Sequence, residues 1–260
     1  MILVDSHCHL DKIPNLDAYL TKAKQHGVCL LLAIGASNGL KSNYRTLEIG
    51  KNYPEIFVSL GIHPHEADKF ENLKDIEPLF ADAKVVAIGE TGIDLHYKHS
   101  SLENQKKLFE LHIKAAIESR KPLIIHCREA YSKLIDILKN YKEAIGIFHC
   151  FTGDKDDLKK ILALETFYIS ISGIITFKKS ENLRFAAKKI PLDRLLIETD
   201  APYLAPAPYR GKICESWMLV ETAKTMAKLL DLDLEKLAEI TTINFGRLFN
   251  ITERLQNVGS

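Results

Sequence analysis

Short apolar runs, without regular alternation of polar residues, recur along the whole chain. Eight can be counted, many of them rich in β-branched residues: 2–6, 29–35, 56–61, 85–89, 123–125, 145–148, 167–172 and 195–199. Runs of this kind predict strands that are buried on both faces, which is typical of parallel sheets. We therefore expect a sheet whose two faces are both covered by other elements.

Segments with the spacing of an amphipathic helix separate these runs. In residues 102–119, for example, Leu108, Leu111 and Ala115 share one face, whereas Glu103 remains available to solvent. Further helices are predicted at 130–138, 156–164, 180–189, 215–230, 234–240 and 244–248. Strands and helices therefore alternate along much of the chain.

This alternation of eight strands with helices over about 250 residues has the length and order of a (β/α)8 TIM barrel. A doubly wound open sheet is the competing arrangement. It would not bring the ends of the first, fourth, fifth, sixth and eighth strands to one point. No linker, low-complexity tract or internal repeat interrupts the pattern. We therefore predict a single α/β domain over residues 1–260.

Side chains that bind metal ions stand at the carboxyl ends of five predicted strands. They are His7, His9, Glu90, His126, His149 and Asp200. His7 and His9 are two residues apart, so on a strand both imidazoles point to the same side. In a (β/α)8 barrel the carboxyl ends of the strands meet at the face that carries the active site. Four imidazoles and two carboxylates are too many ligands for one four-coordinate ion, and they suit two ions with a carboxylate available to bridge them.

Composition favours an ordinary globular protein of the reducing cytoplasm. Five cysteines without a CxxC pair do not form a disulfide framework. Cys8, Cys127 and Cys150 adjoin ligand candidates and are expected to be packing residues. The longest apolar run is shorter than the roughly 20 residues of a membrane helix, and a ligand at position 7 leads us to expect no removable leader. A net charge of +1 gives no global electrostatic footprint for nucleic acid.

Six short motifs point to a family. They are DSHCHLD at 5–11, GIHPH at 61–65, GETGID at 89–94, IHCREA at 125–130, FHCFTG at 148–153 and ETDAPYL at 198–204. In this order, from residue 5 to about residue 250, the chain resembles the TatD family of metal-dependent deoxyribonucleases, within the wider amidohydrolase group of barrels. The resemblance implies a TIM barrel, a divalent metal centre and exonuclease-type hydrolysis of phosphodiester bonds in DNA.

The resemblance also implies how the ligands are shared between two divalent cations per chain. His7, His9 and Asp200 would bind one ion, His126 and His149 would bind the second, and Glu90 would bridge them. Imidazole-rich sites favour zinc, manganese or iron over magnesium, whereas the family points to magnesium or manganese. The cation is therefore expected to be magnesium, manganese or zinc.

One segment departs from the family pattern. Members often carry Arg-Gly-Lys-Arg-Asn-Glu-Pro after the last strand, whereas this chain has Arg-Gly-Lys-Ile-Cys-Glu-Ser at 210–216. The metal ligands are untouched by this change. Because Ser216 replaces the usual proline, the rim of the substrate site and the start of the next helix are expected to differ.

Roles can be assigned to several polar residues around the ligands. Asp200, as a ligand next to the attacking water, is the candidate general base, the alternative being a ligand role alone. Arg128 lies two residues past His126 and could offer a bidentate guanidinium to phosphate. The alternative for Arg128 is an ion pair with Asp94 or Glu129. Asp94 is also a candidate to orient a metal-bound histidine.

Two further stretches are candidates for substrate binding. His63 and His65 follow the third strand on one side, and His63, nearer the strand end, is the better candidate to donate to phosphate. The alternative is that this pair frames the loop. Arg210 lies in a basic stretch with Tyr203 and Tyr209, where aromatic rings could stack on bases and cations could follow the backbone. An ordinary solvated loop is the alternative.

Three hypotheses for function remain open. The leading one is a cytoplasmic, metal-dependent deoxyribonuclease that acts on DNA, with no membrane association and no obligate protein partner indicated. The second is a metal-dependent hydrolase of a small phosphoester, amide or lactone, because one fold hosts many substrates. The third is a metal-binding scaffold without turnover, against which the intact Glu90 and Asp200 argue.

Overall fold

A computed structural model describes residues 1–253 of the chain. Eight strands form one sheet in the order of the sequence, β1 to β8. Their bounds are Leu3–Cys8, Val28–Gly35, Ile56–Leu60, Val85–Asp94, Leu123–Arg128, Gly146–Phe148, Phe167–Ile171 and Leu195–Ile197. Strand β4 pairs in parallel with β3 and β5, β5 with β6, and β7 with β8. This is the strand order predicted for a (β/α)8 fold.

Within residues 1–253, eight named α-helices accompany the strands. They are α1 to α8, at Leu16–Gln25, Gly39–Asn52, Leu102–Ser119, Tyr131–Leu138, Lys155–Leu162, Glu181–Ala187, Leu219–Leu230 and Leu234–Leu248. Short 3-10 helices include Pro64–Lys69 after β3 and Ser216–Met218 before α7. Every residue of β1, β3 and β4 is buried, as expected for strands covered on both faces.

The described residues form two compact units. Unit 1 comprises 1–32, 150–155 and 168–253, and unit 2 comprises 33–149 and 156–167. In unit 1, β7 and β8 pair with Ile169 opposite Leu195 and Ile171 opposite Ile197. In unit 2, the pairing of β4 with β5 places Gly92 opposite His126 and Asp94 opposite Arg128. The prediction of a single domain stays a prediction.

Several predicted elements differ in extent from the structure, and the strand predicted at 123–125, for example, continues to Arg128. The predicted strand at 85–89 continues to Asp94, so Glu90 lies inside β4. The helices predicted separately at 234–240 and 244–248 are one helix, α8, which passes through the β-branched segment 241–243. There the buried Thr241 hydroxyl donates to the carbonyl of Leu237, 3.0 Å away, so the polar group is satisfied within the helix.

His112 on α3 makes the stability of the fold depend on pH. Its Nδ1 donates to the Leu108 carbonyl at 2.8 Å, and its Nε2 accepts the N–H of Ile62 at 3.0 Å. Burial lowers the pKa of His112 from 6.5 to about 4. Between these two pH values the unfolded chain binds a proton that the folded chain excludes. The contribution of neutral His112 to the free energy of unfolding should therefore be fully present above pH 6.5. The free energy of unfolding should fall by up to about 3 kcal/mol as the pH drops to 4.

Urea unfolding of wild type and His112→Gln at pH 7 and pH 4.5 measures this contribution. The variant should lose less stability than wild type between the two pH values. The matched variant His99→Gln removes an exposed imidazole and should keep the wild-type pH dependence. Equal losses in all three proteins would contradict the role given to His112.

Candidate metal centre

Three imidazoles of unit 2 converge on one carboxylate oxygen, Oε1 of Glu90. His149 Nε2 lies 2.8 Å from it, His126 Nδ1 2.9 Å and His63 Nε2 3.4 Å. Glu90 and His149 are buried, and His126 is 18% exposed. The potential ligand atoms of Glu90, His126 and His149 all lie within 4.8 Å of one another. Three of the predicted ligands are therefore in one place.

The electrostatics of this cluster keep the carboxylate ionised. Burial raises the pKa of Glu90, but His149, His63 and His126 around it together bring that pKa well below its ordinary value. Burial also lowers the pKa of His63 to about 4. Since the backbone N–H of His65 donates to Nδ1 of His63, the proton of that ring is on Nε2, facing Glu90.

Asp94 orients His126, as its sequence position suggested. Its Oδ2 lies 3.0 Å from His126 Nε2 and 2.8 Å from His65 Nε2. Its Oδ1 accepts the backbone N–H groups of His96 and Tyr97. Burial raises the pKa of Asp94, but these hydrogen bonds, with that of His126 first, bring it below its ordinary value. A fixed anion of this kind sets the angle of a metal-binding imidazole.

The glycine at position 92 allows β4 to run close to β5 beside these ligands. Gly92 has φ of 145°, a conformation that L side chains rarely adopt. A Cβ added there would collide with the carbonyl oxygen of His126. The small residue therefore holds the backbone of β4 against the strand that carries His126.

The remaining predicted ligands meet in unit 1. Oδ1 of Asp200 lies 3.4 Å from His9 Nε2 and 3.7 Å from His7 Nε2. His7 and His9 are buried, and the Asp200 side chain is 15% exposed. The backbone N–H of Asp200 donates to the carbonyl of His7 at 2.9 Å, so the end of β1 positions this carboxylate directly.

Asp5 supports this second cluster and was missed by the sequence analysis. It is fully buried in β1, where Thr199 and Ser216 hydroxyls each donate to Oδ2 at 2.6 Å. The Thr199 backbone N–H donates to Oδ1 at 2.9 Å. Burial raises the pKa of Asp5 to about 7, against the lowering effect of these hydrogen bonds. An acidic residue inside an apolar strand was the available clue, because a buried carboxyl needs donors.

Ser216 explains how the departure from the family pattern is accommodated. Its backbone N–H donates to the Tyr19 hydroxyl oxygen at 2.8 Å, a bond that proline could not make. Its hydroxyl donates to Asp5 and lies 2.8 Å from the Tyr19 hydroxyl. The segment then enters the 3-10 helix Ser216–Met218 and continues directly into α7. Through Ser216, the altered segment 210–216 is therefore hydrogen-bonded to β1 and to α1.

Replacement of Ser216 by alanine should destabilise the protein. The change removes one donor to a buried carboxylate and one partner of a buried hydroxyl, which together should lower the free energy of unfolding by about 2–3 kcal/mol. Urea unfolding at pH 8 measures the change. Ser132→Ala, which removes an exposed hydroxyl, should stay within about 0.5 kcal/mol of wild type. Equal stability of the two variants would show that the hydrogen bonds of Ser216 contribute nothing.

Both clusters fit a divalent cation. Ligand atoms about 2.0–2.1 Å from a tetrahedral ion lie roughly 3.3 Å from one another. The separations here, 2.8–3.4 Å around Glu90 and 3.4–3.7 Å around Asp200, are of this size. Imidazole and carboxylate are the ligand types of catalytic zinc and manganese sites. Glu90, His126 and His149 in one cluster, and His7, His9 and Asp200 in the other, are three groups each, which leaves a fourth position of a tetrahedral ion for a non-protein ligand.

The residues predicted to bind substrate lie in different places. His63 is part of the Glu90 cluster, while Arg128 ends β5, the strand that carries His126. Arg210 is exposed in unit 1, with its guanidinium 4.0 Å from the centre of the Phe177 ring.

The ion pair considered for Arg128 is not formed within residues 1–253. The two carboxylates in question are occupied by imidazoles instead. Asp94 pairs with His65 and His126, and Glu129 pairs with His96 at 2.9 Å. Arg128 is half-buried at the end of β5, and these carboxylates do not neutralise it.

The cysteines beside the ligands are packing residues, as expected, with one difference. Cys8 and Cys127 are buried in β1 and β5, and burial raises the pKa of both thiols. Cys150 lies outside the strands, with φ of 44°, and its Sγ is 3.2 Å from the Ser172 hydroxyl. The direction of the Cys150 side chain is therefore set by the turn in which it lies, because Cys150 is not part of a strand.

No helix within the described part of the chain has the length and apolar character needed to span a membrane.

Comparison with known proteins identifies the family. Residues 4–250 match the family described as TatD related DNase. The uncharacterized metal-dependent hydrolase YcfH of Escherichia coli K12 is 42% identical over 267 residues, which cover 99% of this chain and all of that one. The corresponding protein YabD of Bacillus subtilis is 38% identical over 257 residues, covering 96% of this chain and all of its own.

A solved structure shares the fold. The crystal structure of YjjV, a TatD homologue from Escherichia coli K12, superposes with a TM-score of 0.90 at 28% identity, covering 95% of this chain and 98% of that one. This similarity, with the strand order above, confirms the predicted (β/α)8 fold. The chain belongs to the TatD-related DNase family and is a metal-dependent hydrolase.

Proposed function

We propose that this protein is a deoxyribonuclease that uses two divalent cations to hydrolyse phosphodiester bonds at the ends of DNA strands. His7, His9 and Asp200 would hold one cation, and Glu90, with His126 and His149, would hold the other. The observation that carries the proposal is the convergence of these buried groups in two clusters, in a chain whose family is described as DNases. That Glu90 bridges the two cations stays a prediction.

A bound divalent cation would supply Lewis acidity and lower the pKa of a coordinated water toward about 7. Asp200 is the residue best placed to orient the attacking water and take its proton. Its side chain is partly exposed, whereas Glu90 is buried among imidazoles. A carboxylate within hydrogen-bond reach of the water meets the geometric requirement for a general base.

Arg128 is the proposed phosphate ligand of unit 2. It sits at the end of the strand that carries His126, and neither Asp94 nor Glu129 neutralises it. A guanidinium can bind two oxygens of a phosphate at once, which fixes the orientation of the group as well as its position. His63, with Nε2–H facing Glu90, is proposed to donate to the same phosphate once a substrate is bound.

A hydrolase of a small phosphoester, amide or lactone is the second candidate. The net charge of +1 favours it, since proteins that bind nucleic acid usually carry a strongly basic surface. The relatives YcfH and YabD are described only as metal-dependent hydrolases. For both candidate functions we propose the same setting: a single-domain protein of the cytoplasm that acts without an obligate protein partner.

The test is hydrolysis of end-labelled single-stranded and duplex DNA by metal-stripped protein, with magnesium, manganese or zinc added back one at a time. Progressive, metal-dependent shortening of the DNA is expected. Absence of cleavage by protein that still binds about two ions per chain would overturn the nuclease proposal. Small phosphoesters and amides would then be tested as substrates. If the protein hydrolysed none of these either, the hypothesis of a metal-binding scaffold without turnover would remain.

A further inference from the structure

A pocket in unit 1 is lined by none of the candidate metal ligands. Its volume is about 470 Å³, within the range of pockets that hold small ligands. The segment after β7 supplies Phe177, Lys178 and Lys179, and the segment after β8 supplies Pro208 and Arg210. The pocket therefore opens where the loops that follow two neighbouring parallel strands meet.

The first wall is held in shape by a half-buried arginine of α6. The Arg184 guanidinium donates to the carbonyls of Ile175 at 3.0 Å, Phe177 at 2.7 Å and Lys178 at 3.2 Å. Three hydrogen bonds from one rigid, planar group fix the backbone that presents the Phe177 ring. This segment is therefore ordered before any ligand arrives.

A hydrogen bond ties the second wall to the first. The Thr176 hydroxyl donates to the Gly173 carbonyl at 2.7 Å and accepts the Ala207 N–H at 2.8 Å. A Cβ at Gly173 would lie 2.7 Å from the Leu204 carbonyl oxygen, so the two loops pack backbone to backbone. The pocket is thus a preformed feature of unit 1.

The chemistry of the lining favours an anion that carries a flat ring. Lys178, Lys179 and Arg210 bring three positive charges, and the residues that line this pocket include no carboxylate. The Arg210 guanidinium lies 4.0 Å from the centre of the Phe177 ring. Phe177 is half-buried, and cations beside a partly accessible aromatic ring form the usual combination for one nucleotide of a single strand, the cations for phosphate and the ring for the base.

The pocket and Asp200 share a segment of the chain, the loop that follows β8. That residue comes three positions after β8, and the same loop continues to Arg210. Asp200 and one wall of the pocket therefore belong to the same connection between β8 and α7.

We propose that this pocket binds one nucleotide of a single DNA strand, away from the bond that is cut. This subsite rests on the proposed nuclease function. It would retain the strand and set the minimum length of an efficient substrate. A mononucleotide bound at the site of hydrolysis would gain little from it, because that ligand has no second nucleotide to place in the pocket.

The test measures binding of fluorescein-labelled oligo-dT to metal-free protein by anisotropy over a range of salt concentrations. The variant Lys178→Ala/Lys179→Ala should bind about tenfold more weakly. The slope of log K against log salt should become smaller by about 1.4, because two single-strand phosphate contacts are lost. Lys188→Ala/Lys189→Ala removes the same charge from the other end of α6 and should match wild type.

Stacking is tested separately with Phe177→Leu. It should weaken oligonucleotide binding about tenfold and leave the salt slope unchanged, because no charge is removed. Phe185→Leu, at an exposed phenylalanine of α6, is its control. Thermal unfolding of each variant shows whether the fold is kept. Equal binding by the pocket variants and their controls would overturn the subsite.

Hydrolysis separates this proposal from the nuclease proposal. With metal, the Lys178→Ala/Lys179→Ala variant should cleave bis(p-nitrophenyl) phosphate at the wild-type rate but degrade long oligonucleotides about tenfold more slowly. Wild type that binds oligo-dT through the pocket without cutting it would remove the nuclease proposal and keep the binding site. Wild type that degrades DNA as fast as the pocket variant does would remove the subsite and keep the nuclease.

Discussion

Asp200→Asn should lower the rate of DNA hydrolysis by about 10²–10⁴-fold, the usual effect of removing a positioned general base. The side chain keeps its size but can no longer accept a proton or bind a cation with full charge. Asp200 has φ of 64°, and asparagine tolerates this left-handed conformation better than other non-glycine residues. The variant therefore tests the charge of this group and not the fold. Initial rates on end-labelled DNA at saturating metal measure the effect.

Asp193→Asn is the matched control for this change. Asp193 is exposed in the short helix that precedes β8, so the same charge is lost at the other end of the same strand. Its rate should equal that of wild type. A normal rate in Asp200→Asn would remove this residue from the reaction.

Glu90→Gln should remove one of the two proposed cations and lower DNA hydrolysis at least about 100-fold. The amide has the shape of the carboxylate but not the charge that His149, His126 and His63 surround. Changes to groups that only orient metal ligands already cost 10–100-fold in affinity or activity, so the loss of a direct ligand should cost at least as much. Elemental analysis after gel filtration in manganese counts the ions bound per chain.

Glu129→Gln provides the comparison for this second change. Glu129 is exposed, pairs with His96 and lies in the same unit, so it tests the loss of a nearby negative charge alone. Its metal content should equal that of wild type. If Glu90→Gln also retained all its metal at unchanged affinity, the cluster in unit 2 would not be a metal site.

The strands and the candidate metal ligands could be identified in the sequence because their signals are local. An apolar run such as 195–199 shows its burial on both faces directly, and two histidines two residues apart must share a side. Helices α1 and α2, by contrast, were not identified. Half of the residues of α1 and most of those of α2 are polar, and α2 begins at a glycine after Asn38 in a left-handed conformation. Such helices form because tertiary packing covers their few apolar residues.

Supporting residues were less predictable because their partners are distant in sequence. The sequence suggested that Asp94 orients a histidine, yet it could not show that one carboxylate serves both His65 and His126. The role of Ser216 depends on Asp5, 211 positions away. No sequence motif marks Phe177. Its proposed role in the pocket depends on the loop that brings Arg210 beside it.

The hydrogen bonds of Asp5 also have a consequence for synthesis of the chain on the ribosome. This acidic residue is among the first to emerge, but its donors at Thr199 and Ser216 follow 194 and 211 residues later. Unit 1 consists of the beginning of the chain and of segments from residue 150 onward, whereas unit 2 is made between them. The carboxylate of Asp5 therefore has neither of these donors until the last quarter of the protein is translated. A hydrated acid at this position disfavours premature burial of the first strand against a wrong partner.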